Sequence, residues 1–427
     1  MSNSFSKEER VAFEDLLEGF HDALVLSRNV GVYNTDQTMM ARTNDIIWRP
    51  QPYIAQSIAS TPGTAIPGYQ DMTQLSVPAT IGFSRTVPWT MTSLDLRDAL
   101  QEGRLGDSAK QKLASDINLA IMNAAANLGS LVVDIGAAAG TYDDVALCDS
   151  IMNEQGVANY DRFLALSSRD YNGLAGNIAG AAAAATRSFG GNKSNTAFER
   201  SFVGMVAGFE TFKFDYANRL TGAAGGATLI DTQVGAGNFF VPAATSTALS
   251  GETQNVDNRF QTITVDNTVG VVAGDAFTIS GVEAVHHITK QGTGQPKTFR
   301  VVSVTNAHDM VITPPIISAQ GGSDAELQYQ NCIVTPAAAA QFTWLNVNTA
   351  AVNVFWQRDA LELLPGRYAV PSDAGTAVMR ATTDQGIEVV MQKFYDIDSM
   401  TIKYRLDTLF GVVNKQPEMS GILLFNQ

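Results

Sequence analysis

Charge is scarce in this chain. Only 16% of its 427 residues are Asp, Glu, Lys or Arg, and the acidic ones prevail, 42 against 28, for a net charge of −14. A surface built to grip phosphate backbones needs clustered Lys and Arg, so any contact with nucleic acid is weak or indirect. Cysteine is nearly absent as well. Cys148 and Cys332 alone cannot form a disulfide framework, and "MSNSFSKEER" lacks the apolar stretch of a secretory signal. The expected setting is a reducing cytosol with both thiols free. No apolar run is long enough to span a bilayer; the Ala- and Gly-rich "GNIAGAAAAATRSFGG" is too short and too weakly apolar. With 45% apolar residues the chain is nonetheless rich enough in core-forming side chains to be globular rather than disordered.

The chemistry of catalysis is equally thin. There are 4 histidines, His21, His286, His287 and His308. The adjacent pair His286 and His287 would face opposite sides of a strand and could not share a metal ion. "FGGNKS" departs from a phosphate loop because Asn192 separates glycine from lysine, and "KQGTGQPK" is not followed by a helix. No G-x-S-x-G occurs, and carboxylate neighbours such as Asp143 and Asp144, or Asp95 and Asp98, are ordinary on solvated faces. No catalytic, cofactor or metal site is therefore expected.

What the chain does have is shape. In "SKEERVAFEDLLEGFHDALVLSRNV", Val11, Phe13, Leu16, Leu17, Phe20, Leu24 and Val25 recur at helical spacing behind an acidic N-terminal half, which predicts an amphipathic arm over 1–43. Residues 44–90 carry Pro50, Pro52, Pro62, Pro67, Pro78 and Pro88 among β-prone residues, a pattern for a protruding hairpin or an edge. "DSAKQKLASDINLAIMNAAANLGSLVVD" puts Leu113, Ile117, Ile121, Ala124, Leu128 and Leu131 on one stripe, with Lys110, Asp116, Asn118 and Asn127 largely off it. That predicts a long strut helix started at Asp107 or Ser108. Residues 134–222 read as mixed α/β. From 223 to 345, short runs such as "RFQTITV", "DAFTISGV" and "FRVVSVT" alternate in Phe277 and Ile279, and in Phe299 and Val301, which predicts a separate antiparallel barrel or sandwich. Mixed α/β character then returns, so this β module is an insertion into a host domain, a cheap arrangement in loop-closure entropy. Elements that project without burying their own faces point to neighbours that bury them.

These stretches resemble the major capsid proteins of tailed bacteriophages, most closely those of the short-tailed Salmonella phage P-twenty-two type. The resemblance is carried by "NDIIWRPQ", "KLASDINLAIMNAAANLGSLVV", "QNVDNRFQTITV", "AGDAFTISGV", "TFRVVSVTNAHDMVITP" and "NVFWQRDALELL", which occur in the family's order. It implies an α+β fold of the tailed-phage major capsid (Hong Kong) type with an inserted antiparallel β-barrel. The implied divisions are an N-terminal arm (1–43), an extended loop (44–90), and a peripheral domain with a spine helix (91–133). An axial domain follows in two parts (134–222 and 346–385) around the insertion (223–345), and peripheral strands close the chain (386–427). Leu113, Ile117, Ile121 and Leu128 would be the helix core, Glu14, Asp15 and Glu18 would face a basic helix of a scaffolding protein, and Lys290, Gln291 and Lys297 would lie on an inter-subunit loop.

The same resemblance implies pentons and hexons of this chain in an icosahedral shell, of triangulation number seven by analogy. It further implies a scaffolding protein separate from this chain, a portal protein, and expansion as double-stranded DNA is packaged without sequence-specific binding. Assembly would take place in the host cytoplasm, with no membrane partner and no cofactor. The competing expectation is a carbohydrate-binding or hydrolytic phage surface protein that uses the β module.

Overall fold

The computed structural model describes residues 9–11, 13–14, 20, 24–33, 46–52, 55, 57, 60–64, 69, 71–92, 99–183, 200–201, 203–214, 219–225, 240–370 and 376–425, without the side chains of 99–107 and 177–183. The class is α+β. Two compact units divide it: one of Met1–Ile47, Ala79–Met122 and Leu361–Val413, the other of Trp48–Pro78, Asn123–Ala360 and Asn414–Gln427.

In the first unit, strands Gly31–Val32, Leu361–Pro365, Thr401–Asn414, Glu388–Asp396 and Ala377–Thr382 neighbour one another in that order, and Phe83–Thr92 also pairs with Thr401–Asn414. The long strand begins with strict alternation: Ile402, Tyr404 and Leu406 are buried, Lys403 and Arg405 exposed. Trp89 stacks on Tyr404 at 5.5 Å between centroids. Pro88, opposite Arg405, is tolerated because, among the described residues, its strand has this single ladder neighbour. The proline-rich stretch therefore ends earlier than expected, since Phe83–Thr92 is a sheet strand. Of the arm, Phe13, Phe20 and Leu24 are buried. Glu9 anchors it, ion-paired to Lys393 and accepting from Tyr404 Oη at 3.0 Å.

Helix α1, Ala99–Leu128, is 30 residues long, about 45 Å. It starts earlier than Asp107 and stops before Leu131, which belongs instead to the strand Leu131–Ile135. Gly129 completes the last helical bond, its N donating to Ala125 O at 2.8 Å, and has room only for glycine, since a Cβ there would sit 2.6 Å from Ala125 O and 3.0 Å from Gly421 N. Leu113, Ile117 and Ile121 are fully buried, while Leu128 is half-buried. Asn118 also proves buried, because its Oδ1 accepts from Leu26 N at 3.3 Å.

The second unit holds a sheet in the order Leu131–Ile135, Ser420–Phe425, Ala350–Gln357, Arg162–Leu166, Phe209–Lys213 and Met205–Val206. Leu131–Ile135 runs parallel to Ser420–Phe425, and Arg162–Leu166 parallel to Phe209–Lys213. Helix α2, Tyr142–Glu154, opens on a capping box between Thr141 and Asp144; helix α3 is Ser168–Ala183. Their inner faces (Val145, Cys148, Met152, Tyr171 and Leu174) share a core with Phe209, Phe355 and Leu423. Burial drives the Cys148 thiol well above its ordinary range. The C-terminal stretch thus divides differently from the expected 346–385 and 386–427. Leu361–Val413 goes to the first unit, and Asn414–Gln427 returns to the second, where the wholly buried Ser420–Phe425 suits a central strand with neighbours on both sides.

Inside the second unit the inserted module forms its own antiparallel sheet in the order Gln261–Thr264, Asp309–Thr313, Gly292–Val304, Ala276–Val285, Phe342–Trp344. The expected alternation holds, with Phe277, Ile279, Phe299 and Val301 buried and Phe277 stacked on Phe342 at 4.6 Å. A six-residue helix α4, Asp324–Tyr329, follows, closed by a capping box between Ser323 and Glu326. A second, two-stranded ribbon joins Thr245–Thr247 to Thr253–Asn255.

Candidate functional site

The seam between the inserted module and its host sheet is built from buried polar groups. Lys297, on the module's longest strand, is 1% exposed and ion-paired to Glu418 in the turn before the last strand. Its Nζ also donates to Gln155 Oε1 at 3.1 Å. Asn331 Nδ2 donates to Glu418 Oε1 at 3.1 Å, and His287 Nε2 approaches Glu418 Oε2 at 3.2 Å. Farther along the same strand Thr298 Oγ1 donates to Ser130 O at 2.7 Å, and Arg300 reaches Gly129 O at 3.3 Å, placing a cation at the C-terminal end of α1 where the helix dipole favours one. Apolar burial holds each layer together, while these bonds fix how the layers meet.

Electrostatics set the protonation of the cluster. Burial pushes the His287 imidazole down to about 4 against the pull of Glu418, so it is neutral at pH 7. Burial alone would raise the Glu418 carboxyl, but His287, which is protonated in the acid range where that carboxyl titrates, together with Lys297 and the Asn331 amide outweighs burial and holds it at about 2. Lys290, near the same carboxylate, is pushed down to about 8 by burial. Beside the cluster lies a cavity of about 470 Å³ lined by Gln51, Leu75, Arg259, Tyr329 and Pro417, among others.

The residues expected on an inter-subunit loop are redistributed by this geometry. Lys297 is not on a loop at all; its flanking polar residues suggested exposure, but the strand carries it into the seam. Lys290 Nζ donates to Gln328 O at 2.6 Å and to Gln330 O at 3.2 Å, which leaves it inside its own subunit. Gln291 is exposed, but in a tight turn whose backbone it helps close by accepting from His286 N. His286 caps that turn through Nδ1, which accepts from Ile288 N and Thr289 N at 3.2 Å. Among the described residues no group of His, Cys, Asp and Glu is placed to hold a metal ion.

The exposed ribbon is elsewhere. Every residue of Thr245–Thr247 and Thr253–Asn255 is exposed, and Leu249 at the tip between them is wholly so. The sequence reading missed it because both strands are polar on both faces. Of the arm residues, Glu14 is exposed and helical, whereas Asp15 and Glu18 lie outside the described residues. Leu113, Ile117, Ile121 and Leu128 belong to the helix, and none of them comes near the seam's ion pairs in sequence.

Over residues 1–426 the chain matches the family described as "P22 coat protein - gene protein 5". The chain belongs to the P22 coat protein family. Solved structures it is similar to include "Mycobacterium phage Che8", at 9% identity over 94% of this chain and 91% of that one with a TM-score of 0.46. A second is "Capsid structure of the Cyanophage P-SCSP1u", at 10% identity over 93% of this chain and 87% of that one with a TM-score of 0.45. The "CUS-3 coat protein I-domain" aligns at 35% identity over 29% of this chain and 98% of its own, with a TM-score of 0.23. A P22-type coat protein is a structural protein of the virion and not an enzyme, which removes the carbohydrate-binding or hydrolytic alternative. Among the described residues, no helix is long and apolar enough to cross a membrane.

Proposed function

We propose that this phage coat protein assembles, guided by a separate scaffolding protein, into an icosahedral procapsid of pentons and hexons that expands as double-stranded DNA is packaged through a portal. Membership of the P22 coat protein family over residues 1–426 carries the reading. A triangulation number of seven belongs to the same proposal by analogy with the family. The acidic balance, −14 overall, suits a container that must release its DNA rather than grip it.

Two surfaces take roles within it. The ribbon Thr245–Asn255 is the inter-subunit element, in place of the turn at Lys290 and Gln291, because its residues are exposed and, among the described residues, its strands pair only with each other. Glu14 faces outward on the arm and is the described member of the acidic set offered to a basic scaffold helix. Co-expression with the scaffolding protein, followed by sedimentation and electron microscopy, tests the reading. Closed, uniform shells are the expected product; small discrete oligomers under every condition would overturn it.

A further inference from the structure

Asp71–Leu75, the returning root of the stretch expected as the extended loop, belongs to no strand ladder. Its backbone is nevertheless held along its length by the short helix α4 of the inserted module. Asp71 N donates to Asp324 Oδ2 at 2.9 Å, and Gln328 Nε2 donates to Asp71 O at 2.6 Å. Thr73 N donates to Gln328 Oε1 at 3.3 Å. Tyr329 Oη donates to Thr73 O at 2.9 Å and accepts from Leu75 N at 3.5 Å.

The carbonyl of one residue and the amide two residues on are the pair that a neighbouring parallel strand would engage. A helix cannot serve as that strand, because its own main chain is already committed to helical bonds and caps. Its side chains can: the Gln328 amide carries a donor and an acceptor in one plane, and the Tyr329 hydroxyl can do both. Asp324 and Gln328, four apart, share a helix face. The outgoing leg is tied in as well, since Gln51 N donates to Leu75 O at 2.9 Å and Gln74 Nε2 donates to Gln51 O at 2.8 Å. Ser76 then bridges in parallel to Asp257 at the start of the module.

We infer that α4 is a clasp by which the inserted module fixes the direction in which the extended loop leaves the subunit, with Gln328 and Tyr329 as its positioning residues. The module thereby helps set the geometry of the shell. The shell-geometry half of this inference rests on the coat-protein reading; the clasp itself does not.

The test uses the full chain carrying Gln328→Met or Tyr329→Phe, which keep side-chain bulk and remove the bonding groups. Amide exchange is read at Thr73 and Leu75 in the soluble subunit, and shell diameter by electron microscopy after assembly with the scaffolding protein. Thr73 should exchange roughly fivefold faster or more in Gln328→Met, and Leu75 likewise in Tyr329→Phe, as expected for loss of one protecting bond. The shells should broaden in diameter. Val301→Ala, which loosens the module's core elsewhere, should lower the unfolding temperature without changing either amide or shell size. Unchanged exchange in both clasp variants would overturn the inference, as would released amides with shells of normal size. If the unaltered chain forms no shells, the coat-protein reading fails while the exchange data still decide the clasp.

Discussion

Glu418 and Lys297, 121 positions apart in sequence, form a buried ion pair with side chains 8% and 1% exposed. The pair joins the inserted module to the turn that launches the last strand of the host sheet. A buried pair adds little net stability over an apolar match, but losing one partner strands the other charge without water.

Glu418→Gln or Lys297→Met alone should therefore destabilise the soluble subunit by about 3 to 5 kcal/mol. The double variant should recover part of that loss, because no uncompensated charge remains. Urea unfolding of the two single variants and the double variant measures the coupling; strictly additive effects would show that the pair does not interact.

Acid should loosen the same seam in two steps. His287 has a folded pKa of about 4, below its ordinary 6.5. Between those values the unfolded chain takes up a proton that the folded chain refuses, so stability falls as pH drops from 6.5 to 4, by on the order of 3 kcal/mol. Glu418 adds a second loss lower down, between 4.5 and about 2, since a depressed carboxylate stabilises only while ionised. His287→Gln should remove the upper step and also shrink the lower one, because the protonated imidazole is the strongest of the groups that hold the Glu418 carboxyl down. Lys297, Lys290 and His286 also face His287 and push its pKa down, while Glu418 pulls it up. Unfolding curves at pH 7.5 and pH 5 for both proteins decide it.

The stripe of α1 should not respond uniformly. Ile117 is fully buried, so Ile117→Glu places a charge without a partner in the core and should abolish folding, a loss above about 4 kcal/mol. Leu128 is half-buried, so a glutamate there can lean toward water, and the loss should be nearer 1 to 2 kcal/mol. Soluble yield and circular dichroism of the two variants separate these outcomes; equal losses would contradict the difference in burial.

Replacing the ribbon tip, Ala248–Glu252, with a two-residue Asn-Gly turn should leave the subunit's unfolding temperature unchanged, because Leu249 touches no core. Shell yield should fall sharply. Normal shells from this variant would remove the ribbon from the inter-subunit role.

Local pattern made part of this legible. Phe277 and Ile279 alternate because one face of a short strand must be apolar, and Leu113, Ile117 and Ile121 repeat because α1 buries one stripe; both signals need only neighbours in sequence. The apolar spacing of α1 runs on through Gly129 to Leu131, while the strand that takes Leu131 as its partner, Ser420–Phe425, lies far along the chain. Lys297 sits in "GTGQPKTF", which reads as a polar turn, and its burial depends on a carboxylate that no local window contains. The ribbon carries no alternation at all, because both of its faces are exposed, so a search for half-buried strands passes over it.

If this coat protein presents the ribbon Thr245–Asn255 to a neighbouring subunit, as proposed, the seam at Lys297 and Glu418 must at the same time keep the module fixed on its own. A cryo-electron microscopy map of the assembled shell at side-chain resolution tests both halves at once. The ribbon should lie in contact with an adjacent subunit, with the Lys297–Glu418 pair intact within each chain. A ribbon surrounded by solvent, with Lys290 or Gln291 at the inter-subunit contact instead, would contradict it.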